Sequence, residues 1–307
     1  MSAQEVLTKL SVALEQVNDI ILGKEQQLKL AFTCMIAKGH LLIEDLPGMG
    51  KTTLSHALAN VLGLSYNRVQ FTSDLLPSDV LGVTIFNRDE NNFEFHKGPI
   101  FSQVVLDDEI NRASPKTQSA LLEAMEEYQV TIEGTSHSLP SPFFVIATQN
   151  PMNQAGTYPL PESQLDRFLM RLTLGYPPAE AERELFKGNN RRSMATELNA
   201  VLSPKELLAL QGLVSKVTVS DALLDYVQRL VAFSRESNDI AVGLSPRGSL
   251  SLLRSAQAWA LIDGRSYVTP DDIQAVLSAV VDHRVFASGA VSHYTTSALM
   301  LDQVAVI

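Results

Sequence analysis

The chain contains little of several features that would each define a class of protein. A single cysteine, Cys34, excludes an internal disulfide. No apolar run approaches the roughly 20 residues that a membrane-spanning helix needs, and the six histidines lack the paired spacing of metal ligands. Residues 1–18 have the pattern of an amphipathic helix, without the basic start or cleavage site of a signal peptide. We therefore expect a cytoplasmic protein that is not embedded in a membrane and holds no structural metal.

Positive charge is also scarce. The 24 lysines and arginines face 34 aspartates and glutamates, so the formal net charge is −10. A broad nucleic-acid-binding surface needs a basic excess. The composition therefore predicts no nucleic-acid partner, although a local basic pore would escape this test.

The most informative segment is a glycine-rich turn between an apolar run, Leu41–Ile43, and a helical pattern, Leu54–Leu62. This order is typical of a P-loop, in which glycines let backbone N–H groups surround a phosphate at a helix N-terminus. Lys51 would reach the β- and γ-phosphates, and the Thr52 hydroxyl would bind Mg²⁺. The predicted nucleotide-binding residues of this turn are Pro47, Gly48, Met49, Gly50, Lys51, Thr52 and Thr53.

One position departs from the P-loop pattern, because Asp45 stands where the pattern has glycine. The alternative interpretation is an ordinary turn between a strand and a helix. The apolar run before the turn and the helical pattern after it favour the P-loop.

The first part of the chain alternates strand and helix patterns, which predicts an α/β fold with a mainly parallel sheet flanked by helices. Strands are predicted at residues 40–44, 66–71, 103–107, 143–148 and 169–174. Two inserts, at about 83–95 and 129–141, alternate around polar turns and predict β-hairpins. After the turn at 175–178 every pattern is helical, apart from a polar stretch at 187–199 that could be a linker. We predict an α/β core that contains the P-loop and both hairpins at 1–190, and an all-α lid domain at 191–307.

Carboxylates end the third predicted strand. Asp108 stands where a Mg²⁺-contacting aspartate is expected downstream of a P-loop, and Glu109 where a base could polarise a water for attack on the γ-phosphate. Asn150, at the end of the next strand, could hold that water. The alternatives are solvated acids or a helix cap for the carboxylates, and a turn-forming Asn before Pro151.

Two arginines complete the candidate catalytic set. Arg167 follows the Asn150 strand near a helix end, and Arg247 lies in the first turn of a lid helix. A cation in a first helical turn opposes the helix dipole unless an anion neutralises it, and a γ-phosphate would be such an anion. The alternatives are a local pair of Arg167 with Asp166 or Glu162, and a solvated Arg247.

Taken in order, these motifs resemble an AAA+ ATPase, and several longer strings are similar to the MoxR family. The strings are DEINRA at 108–113, KTQSALLEAM at 116–125, ATQNP at 147–151, GTYPLPE at 156–162 and LDRFLM at 165–170. The resemblance covers nearly the whole chain, and Asp45 is familiar in the P-loop of that family.

The resemblance implies a role for each motif. Lys51 and Thr52 would be Walker A, Asp108 and Glu109 Walker B, Asn150 sensor 1 and Arg247 sensor 2. Arg167 would be the arginine finger that acts on the nucleotide of a neighbouring subunit, with Arg171 as the alternative finger. Ile21, Leu22 and Gly23 would pack beside the adenine, and both hairpins would face the pore of a ring, expected to be a hexamer.

The expected function is therefore ATP hydrolysis with Mg²⁺, used to remodel or mature protein complexes in the manner of a chaperone. The resemblance associates such proteins with clients bearing von Willebrand factor A domains. Two alternatives remain from other classes: a DNA translocase or helicase-type motor, and a nucleotide-switched scaffold without useful turnover. The acidic balance counts against the first, and the presence of Glu109 against the second.

Overall fold

The computed structural model describes residues 3–150, 156–187, 191–288 and 295–306. Eleven strands are present in these ranges: β1 (Leu41–Glu44), β2 (Tyr66–Gln70), β3 (Gly82–Asn87), β4 (Asn92–Lys97), β5 (Val104–Asp108), β6 (Gln129–Ile132), β7 (Thr135–Ser138), β8 (Phe144–Gln149), β9 (Met170–Leu172), β10 (Ile240–Val242) and β11 (Phe286–Ala287). The α-helices of the same ranges are α1 (Ala3–Asn18), α2 (Glu25–Ile36), α3 (Lys51–Val61), α4 (Pro77–Leu81), α5 (Pro115–Glu127), α6 (Glu162–Leu165), α7 (Ala179–Phe186), α8 (Arg191–Glu197), α9 (Pro204–Val214), α10 (Asp221–Glu236), α11 (Pro246–Ile262), α12 (Pro270–Val281) and α13 (Thr296–Gln303).

The central sheet has five strands in the order β2-β5-β8-β1-β9, and every neighbouring pair is parallel. The two strands β5 and β8 are buried along their whole length, as their almost unbroken apolar runs require of a sheet covered on both faces. Since parallel strands end at the same edge, the polar residues after β1, β5 and β8 converge there. The predicted α/β fold is confirmed.

Side-chain alternation divides the sheet between two hydrophobic clusters. On one face Leu41 and Ile43 join a cluster that continues through α1, α2 and α3 into the lid helices. On the other face Leu42 joins Val105 and Val145 in a cluster that includes the buried face of α5. Helices therefore cover both faces of the sheet, as the sequence predicts.

Both predicted hairpins are present. In the first, β3 pairs antiparallel with β4, and Phe86 lies opposite Phe93. In the second, β6 pairs with β7 around a turn at Glu133 and Gly134, both of which have positive φ. Because α5 leads directly into β6, the second hairpin is attached to the strand end that carries Asp108.

The lid is helical, with serine or threonine capping most of its helices. The N-caps of α9, α10, α11, α12 and α13 are Ser203, Ser220, Ser245, Thr269 and Thr295. One addition was not predicted, a small antiparallel pair between β10 and β11. Among the described residues, no helix combines the length and apolarity needed to cross a bilayer.

The polar stretch at 187–199, predicted to be a linker, contains the helix α8. Its Ala195 is fully buried, and Asn60 of α3 donates a hydrogen bond to the carbonyl of Ala195 at 2.9 Å. This contact orders a segment whose local sequence is too polar to predict a buried face. The predicted domain boundary at 190/191 remains a prediction, since residues 188–190 lie outside the described ranges.

A buried arginine of the lid binds the core segment that contains Arg167. The Arg284 guanidinium donates to Asp166 Oδ1 at 2.7 Å and to the carbonyls of Asp166, Phe168 and Leu169. Five donors in a fixed fork suit this combination of carboxylate and carbonyl acceptors. Arg284 therefore fixes the segment around Arg167 to the lid.

Candidate nucleotide site

A cavity of about 390 Å³ opens at the carboxyl edge of the sheet. It is lined by six of the seven predicted P-loop residues, all except Met49, together with Arg68, Gln70, Asp108, Glu109 and Asn150. We call it the phosphate cavity. The structure thus brings the P-loop, both predicted carboxylates and the predicted Asn150 into one site.

The glycines of the loop have the geometry that the P-loop prediction requires. Gly48 and Gly50 have φ of +87° and +89°, and a Cβ built on either would meet no atom of the described residues within 4 Å. Glycine is therefore needed for the backbone conformation, and the space above it is open to a ligand. Because α3 begins at Lys51, its N-terminal N–H groups face the same space.

Lys51 is buried at the floor of the phosphate cavity. Its Nζ donates to the Asp45 carbonyl at 2.6 Å and to Asn150 Oδ1 at 3.3 Å. Burial lowers the pKa of Lys51, and the nearby carboxylates of Asp45, Asp108 and Glu109 oppose that shift. An ammonium so placed would gain from a phosphate, which is a stronger anionic partner than a carbonyl or an amide.

The structure explains the aspartate that replaces glycine at position 45. Asp45 Oδ1 accepts the N–H of Leu46 at 2.8 Å, and Oδ2 accepts the N–H of Gly175 at 2.7 Å. Gly175 lies in the turn after β9, on the way to α7. Asp45 therefore ties the start of the P-loop to the segment leading to the lid, a role for which glycine has no side chain.

Asp108 is held by two partners, one for each oxygen. Thr148, on the neighbouring strand β8, donates its hydroxyl to Oδ1 at 2.6 Å. Arg68, on β2, contacts Oδ2 at 2.6 Å. Since Arg68 lines the phosphate cavity, a cation already neutralises the carboxylate oxygen predicted to serve Mg²⁺. The Thr52 hydroxyl and the Asp108 carboxylate line the same cavity and are the oxygen ligands that Mg²⁺ prefers, so these residues fit a nucleotide with its metal ion once Arg68 is displaced.

Glu109 directly precedes a short 3-10 helix, Ile110–Arg112, and has φ of +60°, a left-handed conformation that is uncommon outside glycine. Its Oε1 accepts the Asn150 amide at 2.9 Å, and its Oε2 contacts Gln70 Nε2 at 3.1 Å and Arg112 Nε at 2.8 Å. The strained backbone and three side chains fix the carboxylate at the mouth of the phosphate cavity. Asn150 also contacts Lys51, so it joins the two ends of the site.

Sequence reasoning missed Arg68, Gln70, Arg112 and Thr148. A signal existed for the first two, because Arg68 and Gln70 alternate along β2 and so share a face. Their function depends on β2 pairing in parallel with β5, where Gln70 lies opposite Asp108. Sequence order does not reveal that pairing, since α4 and the hairpin formed by β3 and β4 separate the two strands.

The two predicted catalytic arginines lie together, in a second cavity. Arg167 and Arg247 both contact Glu126, the first with Nε to Oε2 at 3.1 Å and the second with Nη2 to Oε1. This cavity of about 540 Å³ also includes Arg254 and Arg284, and we call it the arginine cavity. The structure does not bring Arg167 or Arg247 to the phosphate cavity of the same chain.

Arg171, the alternative finger, is elsewhere. Its Nη1 contacts Glu44 at 2.9 Å, and its Nη2 donates to the carbonyl of Asp282 at 3.1 Å. It therefore links the end of β1 to the lid and does not line the arginine cavity.

The predicted adenine segment lies beside the turn that Asp45 holds. Ile21 is buried, and a Cβ on Gly23 would lie 2.6 Å from Pro178. Neither they nor Leu22 line the phosphate cavity. Met49 instead packs against the larger hydrophobic cluster. Contact of Ile21, Leu22 and Gly23 with a nucleotide base stays a prediction.

Two family models match the chain. The model described as "ATPase family associated with various cellular activities (AAA)" matches residues 40–170, and an AAA lid domain matches residues 232–302. A solved structure from Cytophaga hutchinsonii, described as a candidate ATPase, has a TM-score of 0.90 and 35% identity and covers 99% of this chain and 97% of its own. With the geometry of the site, these matches define an AAA+ ATPase.

Two curated relatives narrow the family. The uncharacterized protein YeaC of Bacillus subtilis is 46% identical over 93% of this chain and 89% of its own length. The protein named Chaperone MoxR1 of Mycobacterium tuberculosis is 41% identical over 92% of this chain and 77% of its own length. The chain belongs to the MoxR family of AAA+ ATPases, as the sequence motifs indicated.

Proposed function

We propose that this protein hydrolyses ATP to ADP and phosphate, with Glu109 as the base. The observation that carries the proposal is the convergence of Lys51, Asp108, Glu109 and Asn150 in one cavity beside positive-φ glycines. A phosphate-binding loop alone would support binding. A carboxylate fixed opposite that loop adds the group that hydrolysis needs.

The proposal gives a role to each residue of the phosphate cavity that the sequence predicted. The P-loop N–H groups and Lys51 bind the phosphates, while Thr52 and Asp108 would hold Mg²⁺. The metal, when bound, would neutralise charge on the phosphate oxygens. Asn150 orients the attacking water, and Glu109 accepts its proton. Gln70 and Arg112 keep the Glu109 carboxylate directed at that position.

Two variants test the chemistry. Lys51→Ala should lose most of its ATP affinity, because a charge-assisted contact disappears. Glu109→Gln should keep its affinity and lose turnover, measured by phosphate release beside nucleotide binding. Glu123→Gln, an exposed site on α5 with the same change of charge, is the control. Hydrolysis by Glu109→Gln at the parent rate would exclude Glu109 as the base.

We propose further that the protein acts as a ring, expected to be a hexamer, in which Arg167 and Arg247 serve the nucleotide of a neighbouring subunit. The support is that both arginines line one cavity and neither lines the phosphate cavity of its own chain. A finger supplied in trans would couple hydrolysis to assembly. Arg284 fixes the Arg167 segment to the lid, so movement of the lid would move the finger.

The proposed work of the ring is chaperone-like remodelling of another protein, and the proposed client class is proteins that bear a von Willebrand factor A domain. The name Chaperone MoxR1 of one relative supports the general class. Glu109→Gln, which should hold clients, offers the test by affinity capture with ATP. Lys51→Ala is the control, and an equal set of captured proteins would argue against ATP-dependent client binding.

The first hairpin is the proposed client-contacting surface. The residues Phe86 and Phe93 are 44% and 73% exposed, with ring centroids 5.1 Å apart. Exposed aromatics on a hairpin tip are costly unless something covers them. The double variant Phe86→Ala, Phe93→Ala should keep basal ATPase activity and lose stimulation by a captured client. Loss of folding instead would assign the pair to packing within the hairpin.

A further inference from the structure

Glu126 is the point at which the two predicted catalytic arginines meet. It lies in the last turn of α5, and its two carboxylate oxygens contact Arg167 from the core and Arg247 from the lid. A carboxylate in a last helical turn opposes the helix dipole. Glu126 is therefore poorly placed for the stability of α5, and the two arginines compensate it.

The rest of the arginine cavity favours an anion. Five basic side chains and two acidic ones line it, in a chain whose net charge is −10. One of the acids, Asp166, is occupied by Arg284 at 2.7 Å. Glu126 is thus the one acid facing the remaining cations within the described part of this cavity.

Arg254 supplies a second indication of an anion. It follows Arg247 by seven residues on α11, so both project from the same face of that helix. It is exposed, and no described residue forms a hydrogen bond or ion pair with it. The N-terminus of α11, with Ser245 as its cap, adds a positive dipole end beside Arg247. The arginine cavity therefore contains more positive charge than Glu126 alone can neutralise.

We propose that Glu126 is a positioning residue that occupies the arginines in place of the γ-phosphate of a neighbouring copy. It holds Arg167 and Arg247 together at one spacing, and it yields them when a nucleotide-loaded copy docks. A phosphate with three oxygens and higher charge competes for the same guanidinium donors that a carboxylate binds. The inference rests on the proposed role of these arginines in trans.

The position of α5 gives this exchange a mechanical consequence. The helix starts at Pro115, shortly after Glu109, and its end leads into the second hairpin at Gln129. Release of Glu126 would free the end of α5 that carries the hairpin. Binding of a neighbour's nucleotide would then shift both Glu109, the proposed base, and the second hairpin of this chain.

The test is nucleotide-dependent association of Glu126→Gln, measured by sedimentation velocity with Mg²⁺ and a non-hydrolysable ATP analogue. Removal of the competing charge should lower the protein concentration at half-assembly by about 1.5- to fivefold, the range expected for exposed ion pairs. Glu127→Gln, the next residue of α5, makes the same change of charge away from the arginines and should match the parent. A Glu126→Gln midpoint equal to or above that of Glu127→Gln would overturn the proposal.

Two further variants keep the result interpretable. Glu126→Asp retains the charge but shortens the reach to both arginines, so it should give a smaller shift in the same direction if Glu126→Gln folds poorly. In a Lys51→Ala background the shift should vanish, since no phosphate is bound. A persisting shift there would also overturn the proposal. If Arg167→Ala hydrolyses ATP at the parent rate, the proposed role in trans fails, whatever Glu126→Gln shows.

Discussion

The phosphate cavity and the arginine cavity differ in their balance of charge. In the phosphate cavity, two basic side chains, Lys51 and Arg68, face two acidic ones, Asp108 and Glu109. In the arginine cavity, basic side chains outnumber acidic ones by five to two. A balanced site suits a ligand that brings both signs, such as a nucleotide with its metal. An unbalanced one suits an anion alone, so the two cavities complement each other between copies better than within one chain.

In both cavities, nevertheless, a charged side chain of the protein occupies the position proposed for a ligand. Arg68 contacts the Asp108 oxygen proposed for Mg²⁺, and Glu126 contacts the arginines proposed for the γ-phosphate. Each of these pairs neutralises charges that are partly buried and would otherwise be uncompensated. The comparison predicts that binding in either cavity is an exchange of ion pairs.

The largest expected effect is the loss of ATP hydrolysis when Arg167, in the arginine cavity, is replaced. Arg167→Ala should bind ATP normally and hydrolyse it more slowly by roughly three to five orders of magnitude, the range for a finger in trans. Arg183→Ala, an exposed position on α7, is the control. The measurement is steady-state phosphate release beside ATP binding.

Mixing Arg167→Ala with Lys51→Ala tests the trans arrangement directly. A mixed ring places an intact P-loop from the first variant beside an intact finger from the second, so part of the activity should return. A finger acting in cis, or an arginine with a purely structural role, predicts no rescue. Absence of rescue in rings shown by sizing to be mixed would return Arg171 to consideration.

The sequence predicted the phosphate cavity well because its residues follow local rules. Gly48, Gly50, Lys51 and the strand-end carboxylates each have a recognisable neighbourhood in the chain. The arginine cavity was only half predicted. Arg167 and Arg247 were found, but their shared partner Glu126 was not, because 41 residues separate Glu126 from Arg167 and nothing local marks it.

The misses have one physical cause. Arg68 contacts Asp108 only because β2 lies beside β5 in the sheet, and Arg284 binds the Arg167 segment only because the lid packs against the core. Such contacts depend on tertiary arrangement, which hydrophobic periodicity does not encode. The helix α8 was missed for the same reason, since its buried face exists only against α3.

A smaller effect concerns the strand that carries the phosphate cavity's carboxylates. Asp107 is fully buried, neither of its oxygens has a hydrogen-bond partner among the described residues, and burial raises its pKa well above the ordinary value. The unfolded protein loses the Asp107 proton near pH 4, whereas the folded protein keeps it until the pH reaches the raised pKa. The free energy of unfolding therefore falls as pH rises from about 4 to the folded pKa. Asp107→Asn cannot ionise and should be more stable than the parent at pH 8 by about 1–3 kcal/mol.

Urea unfolding at several pH values measures this difference. The gain from Asp107→Asn should be small at pH 4 and grow with pH, while the exposed control Asp225→Asn should show no such trend. A gain independent of pH would mean that the Asp107 carboxyl has the same pKa in the folded and the unfolded protein, and would contradict the raised pKa. The result also separates Asp107 from its neighbour Asp108, whose oxygens are both paired.

The smallest expected effect is a change in ATP and Mg²⁺ binding when Arg68, in the phosphate cavity, is replaced. If Arg68 occupies the Mg²⁺ position of Asp108, Arg68→Gln should have two opposite consequences. Loss of a cation should weaken ATP binding in the presence of a metal chelator by about 1.5- to fivefold, as expected for a partly exposed charge. Loss of a competitor for Asp108 should lower the Mg²⁺ concentration needed for half-maximal nucleotide binding.

Fluorescent-nucleotide titrations with chelator and with graded Mg²⁺ measure both consequences without relying on turnover. Arg68→Lys keeps the charge but loses the planar fork that contacts Asp108 and Gln70 together, so its shifts should be intermediate. Arg183→Gln controls for the change in net charge. Shifts of the same sign in the two titrations would show that Arg68 supports the site as a whole. Opposite signs would establish that Mg²⁺ displaces Arg68 from Asp108 in the phosphate cavity, as a phosphate is proposed to displace Glu126 in the arginine cavity.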